Sequence, residues 1–203
     1  DHPTVESLCR DGVARGLDGD HWGAIELFDR AAKLDKNDPR PAGLKAASLI
    51  DLGRLDEADR QIEEAGRLRL AEAELLLLRG RLAVARGRIE EGSALYERAA
   101  AAAPRQAGEI WANLAAQLAA RSDDSLSARI EAAMRRAAEA DPPHLDSLFN
   151  LGQSYASAGK QEAKAFLQRY VDLSNRLPQD QRNARRITLA RQMIKALEAI
   201  EGR

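Results

Sequence analysis

One spacing governs what this chain can become. Gly19, Gly53 and Gly87 follow one another at intervals of 34 residues, and so do Ala31, Ala65 and Ala99. Around them the chain reads GDHWGAIELFDRAAKLD, GRLDEADRQIEEAGRLR and GRIEEGSALYERAAAAAP. In each stretch a glycine and a charged residue lead to a small residue (Ala24, Ala58, Gly92). A large apolar residue follows four positions later (Phe28, Ile62, Tyr96), and an alanine three beyond that. Small, large and small at i, i+4 and i+7 share one helical face, and the small members let a neighbouring helix come close. The glycine ahead of them tolerates φ > 0 and ends the preceding helix. Each period is therefore read as helix, tight turn, helix, repeated along the chain.

Composition agrees. The 203 residues suit one domain or a modest repeat array. With 44% hydrophobic, 31% charged and only 4% aromatic residues, the profile is that of a solvated helical protein rather than a disordered one. Lys plus Arg (31) nearly cancels Asp plus Glu (32), so no global charge points to nucleic acid or an anionic membrane. The apolar run Leu75 to Leu78 is far too short to span a bilayer, so direct membrane insertion is not expected. Cys9 is the sole cysteine, which rules out an internal disulfide and leaves either redox compartment open. The first residue is Asp1, and an upstream signal peptide or domain is compatible with it. A cytoplasmic location is the expectation, with the periplasm as the alternative if such a signal has been removed.

LDSLFNLGQSYASAGK (145–160) closely resembles the first helix of the tetratricopeptide repeat (TPR), with Leu148, Leu151-Gly152, Tyr155 and Gly159 in the family's order. IWANLAAQLAA (110–120) matches it through Asn113-Leu114-Ala115 and Leu118. The resemblance implies an all-α TPR solenoid of about five helix-turn-helix units, near 5–38, 39–72, 73–107, 108–143 and 144–178. The fourth unit carries extra residues in its turn, at RSDDSLS (121–127). After Leu177-Pro178 the pattern changes, and 179–203 is read as a C-terminal capping segment with one long helix over 181–201. Ile187, Ala190, Ile194 and Leu197 form its apolar stripe. Its Arg182, Arg185, Arg186 and Arg191 are read as a solvated face rather than an anion site. Asp38-Pro39 and Asp141-Pro142 each suggest a capping carboxylate ahead of a first-turn proline.

Motifs of chemistry are weak. DGDHWGAIELFD (18–29) imitates a calcium loop, but Trp22 stands where an oxygen ligand is needed and Asp29 replaces a long bidentate Glu. His2, His21 and His144 share no metal-ligand spacing. Ser157 and Lys160 spell S-x-x-K, yet Gly159 places an inter-helix turn between them. No catalytic residue, metal or cofactor is expected, and the chain is read as a non-enzyme.

The resemblance implies function through the first helices, which in TPR proteins line a concave face that holds peptides or partner helices. Leu148, Leu151 and Tyr155 face the interior, so Asp146, Asn150, Gln153 and Ser157 form a separate stripe. The equivalent positions are Glu109, Asn113, Ala116 and Ala120 in the fourth unit, and Glu74, Leu78, Arg81 and Ala85 in the third. The second contributes Arg40, Leu44, Ala47 and Asp51; the first, with its register less fixed, Glu6, Arg10, Val13 and Leu17. Glu6, Glu74, Glu109 and Asp146 make an acidic edge that also complements first-turn helix dipoles. Asn113 and Asn150 are expected to hold an extended backbone, because a side-chain amide both donates and accepts. The Lys/Arg/Asn clamp of chaperone-tail binders is absent, since its columns hold Cys9, Val13, Leu44, Glu74 and Leu78. A second column of Asp11, Lys45 and Arg79 is expected at the edge of the interface between neighbouring first helices, stems packed and heads wet, where Asp11 and Lys45 could pair weakly. The functional expectation is a scaffold or adaptor for a protein or peptide partner. Alternatives are a peptide-sensing regulatory domain, a secretion-type chaperone and an accessory domain of a larger enzyme.

Overall fold

The computed structural model describes residues 2–201, and among them eleven α-helices and three short 3-10 turns account for all regular structure. The chain divides into two compact units, the first ending at Ala103 and the second beginning at Pro104.

The first unit holds α1 (Val5–Leu17), α2 (His21–Leu34), α3 (Arg40–Asp51), α4 (Leu55–Arg67), α5 (Glu72–Ala85) and α6 (Ile89–Ala102). They pair as three hairpins, and α3 packs against both α1 and α5. Every hairpin turn is closed in one way. Gly19, Gly53 and Gly87 have φ of 85°, 71° and 80°, where a side chain would be strained. The next residue's N–H then reaches back across the helix end: Asp20 donates to Arg15, Arg54 to Leu49 and Arg88 to Ala83, at 2.8–2.9 Å. This satisfies carbonyls the helix leaves open. Inside the hairpins, Ala24, Ala58, Ala31, Ala65 and Ala99 are all fully buried, as are Phe28, Ile62 and Tyr96 to within 2%. A methyl group on Gly12 would collide with the Phe28 ring, and one on Gly80 with the Tyr96 ring, so these first helices press directly on aromatic faces of the second.

The second unit holds α7 (Ala107–Ala119), α8 (Ser127–Glu139), α9 (Leu145–Ser157), α10 (Ala163–Ser174) and α11 (Ala184–Glu201). The α9–α10 hairpin closes on Gly159 (φ 67°) as in the first unit. The α7–α8 turn does not: Ser122 takes φ 52°, and a 3-10 turn at Asp124–Leu126 absorbs the additional residues. Asp123 fixes that turn by accepting from the Ser125 hydroxyl (2.7 Å) and N–H (2.9 Å), contacts that lower its carboxyl pKa. α11 lays Ile187, Ala190 and Ile194 on a core made by Leu148, Phe149, Leu151, Leu167 and Tyr170, with Leu197 at its edge.

Two helix starts differ from the sequence reading. Asp38 does take up the Arg40 N–H (2.9 Å) at the start of α3. Asp141 caps nothing: α9 begins at Leu145 and is capped by His144, whose Nδ1 accepts from the Ser147 N–H at 3.2 Å. Pro143 disfavours helical backbone at Pro142, and the 142–144 segment instead lies against Gly108, where a methyl group would meet the Pro142 carbonyl. α11 starts at Ala184 rather than 181, after a 3-10 turn at Gln179–Gln181, with the Asn183 side chain accepting from the Arg186 N–H.

Candidate functional site

In the first unit, α3 turns Arg40, Gly43, Leu44 and Ala47 to one side, and α5 turns Glu74, Leu77 and Leu78 to the same side. Both sets follow the i, i+3, i+4 order of a single helical face. With Leu70 from the α4–α5 connection they line an open depression of about 380 Å³, four of whose eight lining residues are leucine. Gly43 matters to its shape. A Cβ there would come 3.1 Å from Leu70 Cδ2 and 3.5 Å from Leu78 Cδ1, so glycine lets these two side chains meet beneath the opening.

Charge sits only at the margins. Asp38 grips the Arg40 side chain, which donates from Nε (3.0 and 3.1 Å) and Nη2 (2.6 Å). That hydrogen-bonded pairing lowers the Asp38 carboxyl pKa and raises that of Arg40. Glu74, across the opening, has no cation within salt-bridge distance among the described residues. Further along the same face Arg81 donates to Asp51 at 2.8 Å, with its side chain only 15% exposed. Burial raises the phenol pKa of nearby Tyr96.

The structure thus brings Leu44, Ala47 and Leu78 together, with Arg81 beyond them. Leu78 is 8% exposed and belongs to the core as much as to the surface. A stripe of one residue per turn omits Gly43 and Leu77 at the i+3 positions, and Leu70 lies in the α4–α5 connection, outside any helical pattern. The run Leu75 to Leu78 held the signal: four consecutive leucines on one helix cannot all face inward.

The second unit's residues are placed differently. Asp146, Asn150, Gln153 and Ser157 do form an exposed stripe on α9, and Glu109 and Ala116 are exposed on α7 with Asn113 half-buried. Members of this set are already engaged: Asp146 pairs with Arg186 of α11, the Ser157 hydroxyl donates to the Gln153 carbonyl at 3.1 Å, and Asn113 is not free either. Glu109 and Asp146 share a polar depression of about 350 Å³ with Arg105, Pro142, Pro143, His144 and Leu145. Arg186 also lies 5.2 Å from the centre of the Phe149 ring, and Arg182 donates from Nε to the Leu177 carbonyl at 2.7 Å, so two members of the arginine cluster are engaged with the protein.

The Asp11–Lys45 pairing is not formed. Lys45 donates to Asp29 of α2 at 2.6 Å, on a separate depression between α2 and α4, while Asp11 sits 3.6 Å from Arg10. Of the calcium-like carboxylates, Asp29 serves Lys45 and Asp20 caps α2 by accepting from the Gly23 N–H at 2.9 Å. Among the described residues no group of three or more His, Cys, Asp or Glu is placed to hold a metal ion, and no helix is long and apolar enough to cross a membrane.

No family model matches the chain, and no curated protein is similar to it in sequence. Solved structures are similar in fold. A thermophilic TPR protein of Thermus thermophilus matches with a TM-score of 0.56 at 18% identity, over 94% of this chain and 99% of that one. The Cut9–Hcn1 hetero-tetramer of the APC/C matches with a TM-score of 0.57 at 15% identity, over 95% of this chain but 36% of that one. The C-terminal part of a TPR repeat-containing protein from Cytophaga hutchinsonii gives 0.52 at 16% identity, over 81% and 64%. The fold is the all-α TPR fold.

Proposed function

We propose that this TPR-fold chain is a non-catalytic interaction module, a scaffold or adaptor that receives a peptide or helix of a protein partner on its first helices. One observation carries the reading. Leu44, Leu77 and Leu78 surround an open depression although each sits on a helix with a buried side available to it. Leaving apolar surface accessible costs about 25 cal/mol per Å², and contiguous patches of it commonly mark interaction sites. The remaining charged groups around the opening are paired or solvated, an arrangement suited to recognition rather than to proton transfer. Residues 5–38, 39–72, 73–107, 108–143 and 144–178 serve as five repeats in this reading, and 179–203 shields the last of them.

Site-specific photo-crosslinking tests it. A benzophenone side chain at position 44 should capture a partner protein in an extract of the native host, and Ala47→Arg in the same chain should abolish that capture. A probe at Glu63, exposed on α4, is the control. Capture from position 63 alone, or capture at 44 that is indifferent to Ala47→Arg, would reject the first-helix face as the docking surface.

A further inference from the structure

We infer that the α3–α5 depression selects a large aliphatic side chain carried next to a basic residue, with Glu74 meeting the base. This rests on the interaction reading above and names the partner chemistry for the same face. The aliphatic preference follows from the walls, which offer Leu44, Leu77 and Leu78 but no polar group deep in the opening. The charge preference follows from the rim. Among the described residues Arg40 is the only cation lining the depression, and the guanidinium edge that faces Asp38 is taken up by that carboxylate. The two charges of the pair sum to zero, with Asp38 only 11% exposed behind Arg40. Glu74 has no such partner, and Glu6 of α1 lies near enough to Arg40 to act on it through space. An arriving chain therefore meets apolar walls under a net negative rim. A lysine or arginine beside the anchoring side chain gains from that field, and an acidic neighbour loses. Since Glu74 is exposed, the gain is modest and screened by salt.

Three blocked pentapeptides test this on the full chain, each with glycine at both ends and Lys-Leu-Lys, Glu-Leu-Glu or Lys-Ala-Lys between. Binding is read at low salt from the amide signals of Gly43 and Ala47 in nitrogen-15 spectra. The Lys-Leu-Lys peptide should bind about two- to five-fold tighter than Glu-Leu-Glu, and at least ~10-fold tighter than Lys-Ala-Lys. Glu74→Gln should reduce the first difference and keep the second. Equal binding of the two leucine peptides to the parent chain, or a charge preference untouched by Glu74→Gln, overturns the inference but leaves an apolar docking face standing. If no peptide shifts Gly43 or Ala47, the docking face itself is rejected.

Discussion

Leu44 and Leu78 in the first unit correspond, repeat for repeat, to Asn113 and Asn150 in the second. One residue further along the pattern inverts: the first unit has Lys45 and Arg79 where the second has Leu114 and Leu151. A step of one residue is a turn of about 100° around a helix. In the second unit the leucine falls inward and is buried to 3% or less, while Asn150 is exposed and Asn113 half-buried. In the first unit that place holds Leu44, half-buried, and Leu78, 8% exposed, both lining the depression, and Lys45 is left half-buried between helices with Asp29 to neutralise it. One hairpin geometry thus supports two surfaces. The first unit offers a leucine-lined depression and the second an amide-bearing stripe.

Four experiments bear on that contrast, taken from the largest expected effect down. Removing residues 179–203 strips Ile187, Ala190 and Ile194 from the second unit's core, each isoleucine being worth about 1.5–3 kcal/mol. Trp22 lies in the first unit and Trp111 in the second. Chains keeping only one of them should show the loss in urea titrations followed at Trp111; equal losses at both tryptophans would mean the units unfold as one. Next comes the exchange of pattern. Leu151→Lys should destabilise by roughly 3–5 kcal/mol, because it buries an unpaired charge. Lys45→Leu should be neutral or stabilising by about 1 kcal/mol, since the Asp29 it abandons is half in water. Comparable losses from both would show that the two columns are equivalent after all.

If the second unit also grips a partner, Asn113→Ala with Asn150→Ala should weaken binding by about 1 kcal/mol per lost hydrogen bond, read by calorimetry with the crosslinked partner. Unchanged affinity would confine recognition to the first unit. The smallest effect concerns acid. Glu131 accepts from Lys160 Nζ at 2.8 Å and from the Tyr155 hydroxyl at 2.6 Å, and these bonds hold its carboxyl pKa below the ordinary value. A depressed folded-state pKa contributes stability above the unfolded value, and that contribution is lost as pH falls through the folded one. Stability of the second unit should therefore decline through and below the usual carboxylate range, and Glu131→Gln should flatten part of that decline. An identical pH profile in the variant would remove Glu131 from the account.

The sequence made the hairpins legible because their determinants are local and steric. A glycine at φ > 0 and an alanine beneath a crossing helix admit few substitutes, so Gly53 or Ala65 can be read without knowing what lies across from it. The interior side of α9 and the stripe of α11 were legible for the same reason. Partner choice by long side chains was not. Lys45 could reach α1 or α2, and only the packed angle between hairpins turns it to Asp29 rather than Asp11. Arg186 finds Asp146 40 positions away, a pairing no local pattern encodes. The lining was half legible. Register from the best repeat located Leu44, Ala47 and Leu78, but a stripe idealised to one residue per turn passed over Leu77, and Leu70 enters from outside any helix.

The glycine-closed turns also set a tempo. Those of the first unit span only 18–20, 52–54 and 86–88, and the α9–α10 turn spans 158–162. Ordering such a hairpin sacrifices little chain entropy before its contacts form. Chains dominated by near-neighbour contacts fold quickly, on microsecond to millisecond scales, and need no long-range pairing to begin. Within each unit any hairpin is then a competent starting point, and structure spreads from it to the next. The α7–α8 hairpin, closed by a longer segment without a glycine hinge, is the natural laggard. Folding of the second unit should start from α9 and α10 and reach α7 last.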